Sequence, residues 1–136
     1  MMKQTYDIEA IAFQALRANQ TLVSELSGGV YLGQRPLNSD KEDVVINTIA
    51  MTQEFKPQLA TSNINIHVPD RTVTIGGVQQ QVEDRARLKA IAAIVLSTVR
   101  GVKLPSMKMV VESQNTQREA DISQHFVNIR INWIIH

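Results

Sequence analysis

The run from Val127 to Ile135 constrains the fold more than any other part of this chain. Val127, Ile129, Ile131, Trp133 and Ile135 alternate with Asn128, Arg130 and Asn132. A period of two places apolar side chains on one face of a strand and polar ones on the other. Such a strand belongs to a sheet with one covered face and one wet face, the usual condition of antiparallel sheets. Ser62 to Val68 repeats the pattern: Ile64, Ile66 and Val68 point one way, and Asn63, Asn65 and His67 point the other. Pro69-Asp70 ends that strand.

Two helical stripes supply a cover for the apolar face. Ile8, Ile11, Ala12, Ala15, Leu16, Leu22, Val23 and Leu26 recur at three- to four-residue spacing. Asp7 and Glu9 fall in the first turn, where the helix dipole favours acids. Asn19 interrupts the stripe, which allows a kink or a second N-cap there. Gly28-Gly29 reads as the stop, glycine being the residue that accepts a left-handed C-terminal cap. The second helix is expected from Val82 to Arg100, with Leu88, Ile91, Ala92, Val95, Leu96 and Val99 facing the core and Arg85, Lys89 and Arg100 in solvent.

The remaining segments read as strands and connections. Val30 to Leu32 is a short strand, followed by a polar stretch from Gly33 to Asp43 that reads as an exposed loop or arm. Val44 to Thr52 is rich in β-branched residues and apolar on both faces, as a central strand would be. Phe55-Lys56-Pro57 marks the turn after it, and Met107 to Gln114 is a further strand. Thr72 to Gln80 reads either as a small hairpin turning at Gly76-Gly77 or as a polar loop. The order lacks βαβ alternation. We therefore expect an α+β fold, an antiparallel sheet of about four to five strands with two helices packed on one face. With 136 residues and no linker, residues 1–136 are expected to form one domain.

Composition narrows the function classes. The chain has no cysteine, hence no disulfide, zinc-thiolate site or cysteine nucleophile. The opening residues carry no apolar run of a signal peptide, and Ala90 to Leu96 falls far short of the roughly 20 residues of a membrane span. A cytoplasmic protein without membrane contact is expected. The formal net charge of +1 is spread along the chain, unlike the concentrated Lys and Arg of a polyanion binder.

A search for chemistry finds no assembled centre. His67, His125 and His136 lack the i, i+4 spacing of a helical metal site, and His67 has no convincing acid partner in sequence, which makes it a surface or interface residue. Asp40, Glu42 and Asp43 cluster around Lys41 without the spacing of a calcium loop, as acids of a solvated loop do. Neither glycine pair fits a phosphate-cradling motif, and no serine sits in a nucleophile elbow. The basic residues Arg85, Arg87, Lys89, Arg100, Lys103 and Lys108 are diluted by Glu83 and Asp84, and no aromatic residue lies among them for base stacking. No catalytic residue, metal or cofactor is expected. The arm between Gly33 and Asp43 and the edges of an open sheet suit association with other chains, and equally an ordinary mobile loop with edges blunted within the monomer.

Three segments carry a resemblance: Ala15-Leu16-Arg17-Ala18-Asn19, then Leu22-Val23-Ser24-Glu25-Leu26, then Gly29-Val30-Tyr31-Leu32-Gly33-Gln34-Arg35-Pro36. Their sequence of kinked helix, glycine-led strand and proline-containing loop resembles the start of tail terminator and tail completion proteins of tailed phages. Ser39 to Asn47 and Asn63 to Val68 look like the sheet strands that follow, while the Pro69 to Gln81 connection is longer than the family pattern. The resemblance implies a ring, commonly a hexamer, that caps the tail tube, joins it to the head connector and lets DNA pass without sequence-specific contact. It implies location in the virion after assembly in the host bacterial cytoplasm, and contacts with itself, the tail tube protein and connector proteins. Carried over by position, Tyr31, Arg35, Pro36, Asn38, Asp40, Glu42 and Asp43 would meet a neighbouring subunit or the tube, and Arg85 and Lys89 are candidates for the lumen. The competing readings are a small DNA- or RNA-binding regulator and a small enzyme.

Overall fold

In the computed structural model, which describes residues 2–136, the alternating C-terminal run lies inside a sheet. It forms β7 (Gln124–Ile135), paired antiparallel with β3 (Gln58–Pro69) on one side and β6 (Met107–Glu119) on the other. β3 pairs in turn with β2 (Asp43–Met51), and β2 with the three-residue β1 (Val30–Leu32), giving the order β1-β2-β3-β7-β6. β1 runs parallel to β2, so the sheet is mixed where an antiparallel one was expected. The central strand is β3, not the Val44–Thr52 segment, which lies one place from the edge. A separate two-stranded ribbon, β4 (Arg71–Ile75) with β5 (Val78–Val82), realises the hairpin alternative for residues 72–80. Gly76 and Gly77 both have positive φ, 57° and 80°, as a tight two-residue hairpin turn requires.

The helices pack on one face of the five-stranded sheet. The first stripe divides into α1 (Thr5–Ala18) and α2 (Gln20–Glu25), with the break at Asn19. The Asn19 Oδ1 accepts the Leu22 N–H at 3.1 Å and caps α2, while its Nδ2 donates to Thr98 Oγ1 of α3 (Arg85–Gly101) at 2.7 Å. α3 starts after Asp84, whose carboxylate accepts the Arg87 N–H at 3.2 Å, three residues later than the periodicity suggested. Ile8, Ala12 and Leu16 of α1 and Leu88, Ile91, Ala92, Val95 and Val99 of α3 form one core with Ile64, Ile66, Val127, Ile129, Ile131 and Trp133 of the sheet. Fully burying an aliphatic side chain contributes about 1.5–3 kcal/mol, and the repeats of both helices and both central strands deliver such residues to this layer. The architecture is α+β. Among the described residues no helix is long and apolar enough to cross a membrane.

Two local expectations change. Gly28 and Gly29 do not form a left-handed cap. The helix ends at Glu25, with Leu26 extended behind it, and neither glycine is among those with positive φ. Glu9 does more than face a dipole: it is buried, and its carboxylate accepts the Thr48 N–H at 3.0 Å, close to where the β2–β3 register shifts.

Candidate functional site

The arm from Gly33 to Glu42 is not a free loop, because its root is clamped. Gly33, at φ +78°, donates its N–H to Ile46 O at 2.8 Å and turns the chain away from β1. The Asp43 carboxylate, 1% exposed, then gathers the arm from inside. Its Oδ1 accepts the Gly29 N–H at 3.1 Å, and its Oδ2 accepts Ser39 Oγ–H at 2.6 Å and Arg35 Nη1–H at 3.2 Å. Gln124, fully buried on β7, completes the clamp by accepting from Arg35 Nη2 at 2.7 Å and donating to Ser39 O at 2.6 Å. Gly28 is the residue that admits this arrangement, since a Cβ there would overlap the Asp43 carboxylate.

The three clustered acids are thereby sent to different places. Asp43 faces inward to Arg35, and Glu42 accepts from Arg87 of α3 at 2.7 and 2.8 Å. Asp40 is exposed. Arg87 also reaches Glu25 at 3.0 Å and the Glu25 carbonyl at 2.8 Å, so one guanidinium ties the arm, α2 and α3 together. Hydrogen bonds donated to Glu42 and Glu25 hold Arg87 still more firmly charged than usual. Of the residues assigned to an interface, Pro36, Asn38 and Asp40 lie exposed beside Leu37, while Tyr31, Arg35 and Glu42 are half-buried and Asp43 is buried. The exposed members present the most surface, while Arg35, Glu42 and Asp43 set the arm's shape. An open groove of about 670 Å³ runs between the arm (Arg35 to Asn38) and the Arg118–Ile122 turn.

The histidines have partners that the sequence did not reveal. His67 Nδ1 lies 2.7 Å from Glu119 Oε1 and its ring stacks against Phe126 with centroids 5.0 Å apart, so it is a half-buried residue of the sheet rather than a surface one. Burial, followed by the nearby Arg35 charge, lowers the His67 pKa despite Glu119. His125 Nδ1 lies 2.6 Å from Asp70 Oδ1. The partners are 52 and 55 residues apart in sequence, and the strand register alone brings them together. With these acids as fixed neighbours, the two pairs brace the strand ends at one end of the sheet.

The sheet face opposite the helices is rich in carboxamides. Asn128 Nδ2 donates to Asn63 Oδ1 at 3.1 Å and Asn65 Oδ1 at 2.8 Å, and Asn115 Nδ2 donates to Asn128 Oδ1 at 3.4 Å. Toward the other end this face becomes apolar and forms an open cleft of about 570 Å³ floored by Ala50, Leu59, Thr61, Asn132 and Ile134. Arg85 and Lys89 are exposed on the first turns of α3, along a groove shared with Gln114 and Thr116 of β6, and Arg85 is engaged by Glu83 at 2.9 Å.

No family model matches the chain, and no curated protein matches it. Among solved structures, it is similar to a chain of a particle described as "Virion of native gene transfer agent (GTA) particle", with a TM-score of 0.61 and 14% identity over 98% of this chain and 98% of that one. At that identity the likeness is one of fold. It spans nearly the whole of both chains.

Proposed function

We propose that this chain is a structural, non-catalytic protein of a phage-like virion, built as one domain that assembles into a ring at the end of the tail tube and joins tail to head connector. The observation that carries this reading is the end-to-end fold likeness to a chain of a gene transfer agent virion. Three features of the molecule support it. The arm is braced at its root by Asp43 and Arg87 yet offers Pro36, Leu37, Asn38 and Asp40 to solvent, as an element that docks in a fixed shape does. One sheet face is left without a covering layer and carries hydrogen-bonding carboxamides. The His–carboxylate pairs are engaged with each other and not aimed at a shared cavity.

In this reading the exposed arm residues meet the neighbouring subunit or the tube protein. Arg85 and Lys89 border the passage for DNA, without base contacts. The protein resides in the virion and assembles in the host cytoplasm. Mass measurement by light scattering over a wide concentration range, with electron microscopy of the same samples, tests the reading. Discrete rings whose mass is a whole multiple of 15.2 kDa are expected. A monomer at every concentration refutes ring formation. Tight nucleic-acid binding that falls steeply with salt would instead favour a regulator.

A further inference from the structure

The β4–β5 hairpin stands apart from the main sheet. Its strands pair only with each other, every residue from Thr74 to Gln81 is exposed, and none of its residues joins the core cluster among the described residues. A lone two-stranded hairpin is at best marginally stable in water. This one also carries apolar residues at its tip, Ile75 at 50% and Val78 at 60% exposure, and has no charged residue from Thr72 to Gln81. A hairpin of this kind is completed by a surface that covers it.

The cleft at the far end of the open sheet face has matching chemistry. It is floored by Ala50, Leu59 and Ile134, with Leu59 52% exposed, and its described lining carries no charged side chain. Beside it lie Thr61, Asn63 and Asn132, hydrogen-bonding neighbours suited to the Thr72, Thr74 and Gln79–Gln81 flanks of the hairpin. The chain cannot fill its own cleft. The hairpin leaves β3 at Pro69, while the cleft sits near Leu59, about 33 Å away along the strand at about 3.3 Å per residue. The five-residue arms of the hairpin extend only about 17 Å.

We infer that the hairpin of one copy seats its Ile75–Val78 tip in the Ala50–Leu59–Ile134 cleft of the next copy. The two surfaces are unlike and lie at opposite ends of one strand, so the contact is head-to-tail and repeats from copy to copy, closing when the rotation per step divides a full turn. The inference rests on the ring reading and names the contact that builds the ring.

The cysteine-free chain permits a direct test by disulfide trapping. Val78→Cys protein mixed with Leu59→Cys protein under mild oxidation is expected to give a covalent dimer at least tenfold in excess of either variant alone. The double variant is expected to give a ladder that ends at the ring number. Both positions are exposed, so both variants should fold. A companion Ile75→Asp/Val78→Asp variant is expected to raise the concentration needed for assembly at least tenfold, with the emission of Trp133 unchanged. If the wild type forms rings while the mixture cross-links no better than the single variants, or the aspartate variant assembles normally, this contact is refuted and the ring reading stands. A wild type that never assembles refutes both.

Discussion

Asp43→Ala removes the centre of the clamp that shapes the arm, and the structure sets the size of the effect. The carboxylate is 1% exposed and accepts from the Gly29 amide, the Ser39 hydroxyl and the Arg35 guanidinium. Breaking a buried ion pair by removing one partner costs about 3–5 kcal/mol, because the other charge is stranded. Arg35 is not wholly stranded here: at 12% exposure it keeps Gln124 at 2.7 Å and has Glu119 at 3.8 Å. The loss should therefore fall near the lower end, about 3 kcal/mol. For a chain of this size that lowers the melting temperature by about 10 °C. Urea unfolding at a concentration where the protein is monomeric, followed by Trp133 emission, measures it. Asp43→Asn keeps an acceptor oxygen for Gly29 and should lose less. Combined with Arg35→Met, it should lose less than the sum of the two single changes, since each removes the other's reason for cost. A loss below about 1 kcal/mol for Asp43→Ala, or strict additivity in the double variant, would refute the clamp.

Two further outcomes follow from buried polar contacts. Burial and the Arg35 charge lower the His67 pKa, so as pH falls below its ordinary value of about 6.5 the unfolded chain takes up a proton that the folded site resists. The urea midpoint should therefore drop between pH 7 and pH 5, and His67→Gln should flatten that drop; equal slopes for both proteins would contradict the site. Ser62→Ala removes the oxygen that accepts the Trp133 indole N–H at 2.9 Å, with both residues fully buried. It should cost about 1–3 kcal/mol and shift the emission of the chain's single tryptophan, read by fluorescence-monitored denaturation.

The elements legible in the sequence are those whose burial repeats locally. β7, β3 and the two helical stripes announce themselves because each alternates between one covered and one open face. β6 runs to Glu119, five residues beyond its apparent end, because the register shift between Val111 and Ser113 breaks its alternation. Beyond that shift the residues are polar on both faces. Gln114 and Thr116 line an open groove under α3, and Asn115 joins the carboxamide face. The parallel pairing of β1 left no trace, since a three-residue strand has too little pattern to declare its partner. The same holds for the candidate site. The arm's polarity marked its place, but its clamp depends on Gln124, which lies 85 residues from Ser39. Gly28 looked like a helix stop, and its function as space for a carboxylate appears only once Asp43 is beside it.

The position of β7 between β3 and β6 has a consequence for how a cell makes this protein. A ribosome releases residues in order, so α1, β2, β3, α3 and β6 all emerge before the strand that unites them. Until Gln124–Ile135 has been synthesised, the twelve-residue β3 has a bare edge and the core-facing Ile64 and Ile66 lack their neighbours Ile129 and Val127. An uncovered edge of this kind pairs with any extended chain it meets. On a polysome the nearest such chains are sister copies carrying the same β7 sequence. Correct folding thus depends on a nascent chain's own β7 reaching β3 before a sister's does, and slow translation of residues 124–135 would favour exchanged strands over self-paired ones.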